Sequence, residues 1–212
     1  MTAELIERLA LDLKPVPSNA LLRVLGIALA FGLVTSTIAM MLWLGPRPDL
    51  FKAFGTPIFW IKFVYTLALG CCGAWAASRV ARPGENGRLP LAIVCLVVLS
   101  VAIAAGISYV TAPPQERHAI VMGSSALVCP HYVIALSMPL LIAAIVFMRR
   151  MAPTNPTLAG LSAGLMAGAL GAWVYSFHCT EAGLPFLTLW YSLGIAAVVL
   201  VGTVAGRLFF RW

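Results

Sequence analysis

The chain has 212 residues, 61% of them apolar and 10% charged, with a formal net charge of +7 and a mean hydropathy of +0.97. A soluble domain carries about 25% charged residues, so this composition excludes a water-soluble globular fold and requires lipid around the apolar surface. The basic excess is spread over several short connections and forms no stripe, which excludes direct nucleic-acid binding.

The first 20 residues carry Glu4, Glu7, Arg8, Asp12 and Lys14. They lack the apolar core of a cleavable signal peptide and read as a retained tail. From Ala3 to Leu13 the spacing predicts a short helix with Leu5, Ile6, Leu9 and Leu13 on one face. Pro15 and Pro17 end it, because proline cannot continue a helix. A helix this short is marginal alone. Its apolar face fits a groove on a soluble partner. The alternative, a helix resting on lipid, is disfavoured by three acids facing an anionic leaflet.

Six apolar segments follow, at 21–45, 57–79, 89–111, 124–148, 157–177 and 185–207. Each exceeds the roughly 20 residues that cross a bilayer. In hydrocarbon the backbone must satisfy its own hydrogen bonds, and the unbroken apolar runs lack the alternation of a barrel strand. The expected fold is therefore all-α, a six-helix membrane bundle over 21–207, preceded by the tail 1–20 and followed by the end 208–212. Pro46, Pro48, Pro83, Gly84, Pro113, Pro114, Pro153, Pro156 and Gly183 fall where connections are needed.

The second span contains Lys62 about one turn from its start, beside Trp60 and Tyr65. This reads as a lysine snorkelling to the interface, with a charge turned into the bundle as the functional alternative. Cys71, Cys72 and Cys95, in spans two and three, read as packing residues. Gly160, Gly164 and Gly168 in span five, and Gly202 and Gly206 in span six, recur every four residues. They predict close helix packing, and the same motif allows a homo-oligomer.

Short loops make basic residues the guide to topology. One side carries ten: Arg8, Lys14, Arg23, Arg79, Arg82, Arg88, Arg149, Arg150, Arg207 and Arg211. The other carries three: Arg47, Lys52 and Arg117. The ten belong in the cytoplasm, which puts both termini there and makes the chain a multi-pass protein of a bacterial inner membrane, with lipid as one partner.

This orientation places Cys129, in Val128-Cys129-Pro130-His131, and Cys179, in His178-Cys179-Thr180-Glu181, at similar depth on the exported face. That compartment permits disulfides. Thiolate, with imidazole from His131 and His178 and carboxylate from Glu181, is also the ligand chemistry of a soft or borderline metal. A disulfide and a transient heavy-metal ion remain alternatives, as does the plain role of two small buried side chains. No resident cofactor is expected.

The ordered set of Leu5-Ile6-Glu7-Arg8-Leu9-Ala10-Leu11-Asp12-Leu13 with Pro15-Val16-Pro17, Trp60-Ile61-Lys62, Cys129, Pro156 through Gly168, His178-Cys179 and Trp190-Tyr191 resembles the NrsF-type membrane anti-sigma factors of proteobacteria. The resemblance covers nearly the whole chain. It implies negative regulation of an extracytoplasmic-function sigma factor, which the cytoplasmic part sequesters from RNA polymerase. It further implies release when the exported cysteine pair, matched by Cys129 and Cys179, meets heavy metal or oxidative stress. No catalysis is implied. Two other classes compete on the residues alone. A membrane thiol-disulfide oxidoreductase is weakened by the lack of Cys-x-x-Cys, and a small transporter by spans that offer little ionisable beyond Lys62.

Overall fold

The computed structural model describes residues 20–82, 84–151 and 153–210. Leu5, Ile6, Leu9 and Leu13 of the expected tail helix lie outside them. Among the described residues six helices are long and apolar enough to span a membrane: α1 (Ala20–Trp43), α2 (Pro57–Val80), α3 (Arg88–Thr111), α4 (Cys129–Met151), α5 (Pro156–Tyr175) and α6 (Leu184–Phe209). Two short helices, Leu50–Ala53 and Arg117–Met122, lie in the connections before α2 and α4. Five spans agree with the sequence-based expectation to within a few residues. The fourth starts at Cys129 rather than 124, because residues 124–128 are wound into turns.

Small side chains decide the architecture. The α5 sequence is dominated by glycine and alanine and is almost wholly buried, so backbones can approach it closely from several sides. It packs against α2, α4 and α6; α1 packs mainly on α4, and α3 leans on α2 and the start of α6. Only Pro90 and Ala105 of α3 are buried, so that helix faces chiefly outward.

The seam between α5 and α6 runs through the predicted glycines. A Cβ at Gly164 would lie 2.7 Å from the Val198 carbonyl oxygen, and one at Gly202 would lie 2.7 Å from the Gly160 carbonyl oxygen. The small-residue face is thus occupied within one chain. Gly73 plays the same part on α2, where a Cβ would come 2.6 Å from the Met166 nitrogen.

Pro139 interrupts the hydrogen-bond ladder of α4. The carbonyl that loses its helical donor is that of Ala135; one residue on, the buried Ser36 hydroxyl of α1 donates to the Leu136 carbonyl at 2.7 Å, tying α1 to α4 beside the interruption. Near its start α6 carries a π-turn over Leu187–Tyr191. Such turns admit one extra residue and often mark functional positions.

The antiparallel order brings the end of α1, the start of α2, the end of α3, the start of α4, the end of α5 and the start of α6 to one end of the bundle. Arg23, Arg79, Arg82, Arg88, Arg149, Arg150 and Arg207 lie at or near the opposite end.

Candidate functional site

Cys129 opens α4, and Cys179 lies in the connection from α5 to α6. Both thiols are free. Their placement is fixed by the local backbone: the Cys129 N–H donates to Ser125 O at 2.9 Å, and the Cys179 N–H donates to Tyr175 O at 3.1 Å. Cys129 is 0% exposed and Cys179 is 3% exposed. They belong to one buried cluster with Tyr65, Tyr175, Phe186 and Tyr191.

The phenols of Tyr175 and Tyr191 stand beside the sulfurs. The Tyr191 hydroxyl is buried with no partner of good hydrogen-bond geometry. Tyr191 itself belongs to the π-turn. A cavity of about 340 Å³ reaches the cluster from the loop end, lined by Arg47, Ser125, Tyr132, Tyr175, His178 and Cys179 among others. The cavity gives a small ligand a path to a nearly buried sulfur.

The neighbours that the sequence suggested as ligands are turned to other tasks. His131 is exposed, and its Nδ1 lies 2.8 Å from the Leu127 carbonyl of its own turn. Successive helical residues are about 100° apart, so residue 131 leaves the face that buries Cys129. His178 Nδ1 meets the Gly45 carbonyl at 2.8 Å, and its ring packs on Tyr132 and Tyr175. Among the described residues no three His, Cys, Asp or Glu side chains form a ready metal cage. The soft donors in this cluster are the two sulfurs, with the Tyr191 hydroxyl as a spare oxygen beside them.

Glu181 acts as a clamp. Its Oε1 accepts from the Ser124 N–H at 2.8 Å, from the Ser124 hydroxyl at 2.7 Å and from the Ser125 hydroxyl at 3.0 Å. Partial burial pushes the carboxyl up, but these hydrogen bonds outweigh it and hold the group below its ordinary value. Gly123 makes room at φ +52°, and a Cβ there would strike the Glu181 carboxylate. This clamp winds residues 124–128 into turns and delays the start of α4.

Arg47 makes a second clamp. Its Nε and Nη2 each donate to Asp49 at 2.7 Å, while Nη1 donates to the Cys179 carbonyl at 3.1 Å. The Arg47 N–H also donates to Phe177 O at 3.1 Å. The hydrogen bond to Asp49 raises the guanidinium and lowers the carboxyl relative to their ordinary values.

Lys62 corrects the sequence reading. It does not snorkel; it is 1% exposed, and its ammonium donates to the Cys179 carbonyl at 3.4 Å, approaches the Cys179 sulfur at 3.7 Å and donates to the Glu181 carbonyl. The carbonyls of residues 179 and 181 supply its acceptors inside the bundle. The sequence flags Lys62 by one signal, an ionisable residue inside a span, and the alternative of a charge turned into the bundle is the one that holds. The sequence had no signal for Arg47, Tyr175 or Tyr191 as partners of the thiols. Cys71 and Cys95 are exposed and Cys72 is partly covered, and none of the three belongs to this buried cluster.

The family NrsF, described as negative regulator of sigma F, matches residues 9–212. The chain is 38% identical over 216 aligned residues to the anti-sigma-F factor NrsF of Caulobacter vibrioides, covering 100% of this chain and 99% of that protein. It is 35% identical over 211 residues to the probable anti-sigma-F factor NrsF of Azospira oryzae, again covering 100% and 99%. No solved structure matches significantly. With a family match over nearly its whole length and full-length relatives of that name, the chain belongs to the NrsF family.

Proposed function

We propose that this protein is an inner-membrane anti-sigma factor that sequesters an extracytoplasmic-function sigma factor and releases it when Cys129 and Cys179 react with a thiophilic metal ion or an oxidant. The full-length similarity to two relatives named as anti-sigma-F factors carries the reading. A regulatory family of this kind needs no catalytic centre.

The basic residues gathered opposite the cysteines support a cytoplasmic placement of that end, which would leave the thiols and their cavity toward the exported side. The tail 1–20 then joins the cytoplasmic end, where Leu5, Ile6, Leu9 and Leu13 offer an apolar stripe to the sigma factor.

The chemistry at the thiols balances simply. A divalent ion bound by both sulfurs displaces two protons to water. A two-electron oxidant would instead take two electrons and two protons and leave a disulfide. Either changes a buried cluster that touches α2, α4, the end of α5 and α6. Moving a partner from 99:1 bound to 1:99 requires about 5.5 kcal/mol of differential affinity, within the reach of two metal–thiolate bonds.

The test is co-purification of a sigma factor with the solubilised full-length protein, identified by mass spectrometry. Full-length protein should retain it, and a variant lacking residues 1–18 should insert normally but lose it. Undiminished capture by the truncated protein would remove the tail from the account.

A further inference from the structure

Lys62 brings a full positive charge into the apolar interior, five residues into α2. A buried ammonium is tolerated only when its three N–H groups find acceptors. Among the described residues no carboxylate forms an ion pair with it at contact distance, although Lys62 attracts the nearby Glu181 carboxylate from further off; the ion pairs there join Arg47 to Asp49 and Arg79 and Arg82 to Glu85. Its acceptors all lie in one short segment: the Cys179 carbonyl at 3.4 Å, the Glu181 carbonyl, and the Cys179 sulfur at 3.7 Å. The Tyr191 ring lies under the charge, 5.9 Å to its centroid, within the range of a cation–π contact. Arg47 donates to the same Cys179 carbonyl. Two cations from different parts of the chain thus converge on the backbone of one candidate sensor cysteine.

We propose that Lys62 is the positioning residue of the thiol site: a tethered cation that latches residues 179–181 to α2, and that a thiophilic metal ion bound at Cys179 displaces. The inference rests on the thiol-sensing reading and adds the side chain through which it acts. A metal–sulfur bond of about 2.3 Å falls well inside the separation between Nζ and Sγ. A dication and an ammonium so close together repel strongly where water is scarce. On binding, each thiol loses one proton to water as its sulfur bonds the metal, the ammonium keeps its protons, and no electron moves. What breaks are the hydrogen bonds from Nζ to the 179 and 181 carbonyls. The connection between α5 and α6 then loses its tie to α2, while Glu181 still holds Ser124 and Ser125.

Amide hydrogen exchange of the full chain in lipid nanodiscs, with cadmium ion alone as the probe, tests this. Cadmium should accelerate exchange across residues 177–183 by about tenfold, a typical coupling between linked sites. Lys62→Met should show that acceleration without cadmium and no further change with it, and Lys62→Arg, which keeps the charge, should behave as the parent chain. Cadmium binding is read separately, as protection of Cys129 and Cys179 from alkylation. Protection with unchanged exchange overturns the latch and leaves the thiol reading standing. Without protection, metal sensing fails, and Lys62→Met alone judges the latch: faster exchange supports it and unchanged exchange overturns it. Should Lys62→Met not fold, the parent chain and Lys62→Arg decide by their response to cadmium.

Discussion

Gly164→Ala is the most informative packing substitution. The added Cβ would stand 2.7 Å from the Val198 carbonyl oxygen and 2.8 Å from Val199 Cα. Both are backbone atoms and cannot swing aside. Ordinary contact begins near 3.5 Å, so α5 and α6 must separate by about 0.7 Å at this seam. A gap of that size forfeits roughly a quarter to a half of each dispersion contact, each worth about 0.1–0.2 kcal/mol. On the order of 40 atom pairs along the seam sets the loss at about 2 kcal/mol, in line with overpacking of tight cores. Alanine's better helix propensity returns less than about 1 kcal/mol. Equilibrium unfolding in mixed detergent and SDS micelles measures the difference. Gly26→Ala on α1 is the control, because a Cβ there meets nothing within 4 Å. A Gly164→Ala chain as stable as the parent and the control would refute the close-seam argument.

Other consequences follow from the loop clamps and the remaining thiols. The Glu181 carboxyl is held below its ordinary value of 4.5, so its stabilisation is complete above that pH and lost as pH falls through the lowered value. The unfolding midpoint should therefore drop in acid for the parent chain, and Glu181→Gln should lack that component; identical acid profiles would contradict the clamp. Replacing Cys71, Cys72 and Cys95 together by Ser should leave sigma-factor capture and its release by thiophilic metal unchanged, as read in a pull-down, because none joins the buried cluster of Cys129 and Cys179.

Membrane spans were legible because hydrophobicity needs no tertiary information. The second was expected at 57–79 and runs Pro57–Val80. The start of α4 was not legible, because Ser124 and Ser125 are captured by Glu181, more than fifty residues away. The glycine stripe of α5 announced a close approach, but only the fold shows that its partner is α6 of the same chain. Adjacency in sequence misled at His131, since a helix turns a residue two places away toward a different face. Lys62 was visible as an anomaly, yet its acceptors at 179 and 181 lie on the far side of the chain. The matched depth of Cys129 and Cys179 followed from span order alone, and burial brings both into one cluster.

In the proposed mechanism, chemistry at two thiols loosens a partner held at the other end of the bundle. The most direct measurement immobilises the solubilised protein with its bound sigma factor and adds a thiophilic metal ion to the parent chain and to Cys129→Ser/Cys179→Ser. Release from the parent and retention by the double variant are expected. Equal release from both, or retention by both, would contradict the mechanism.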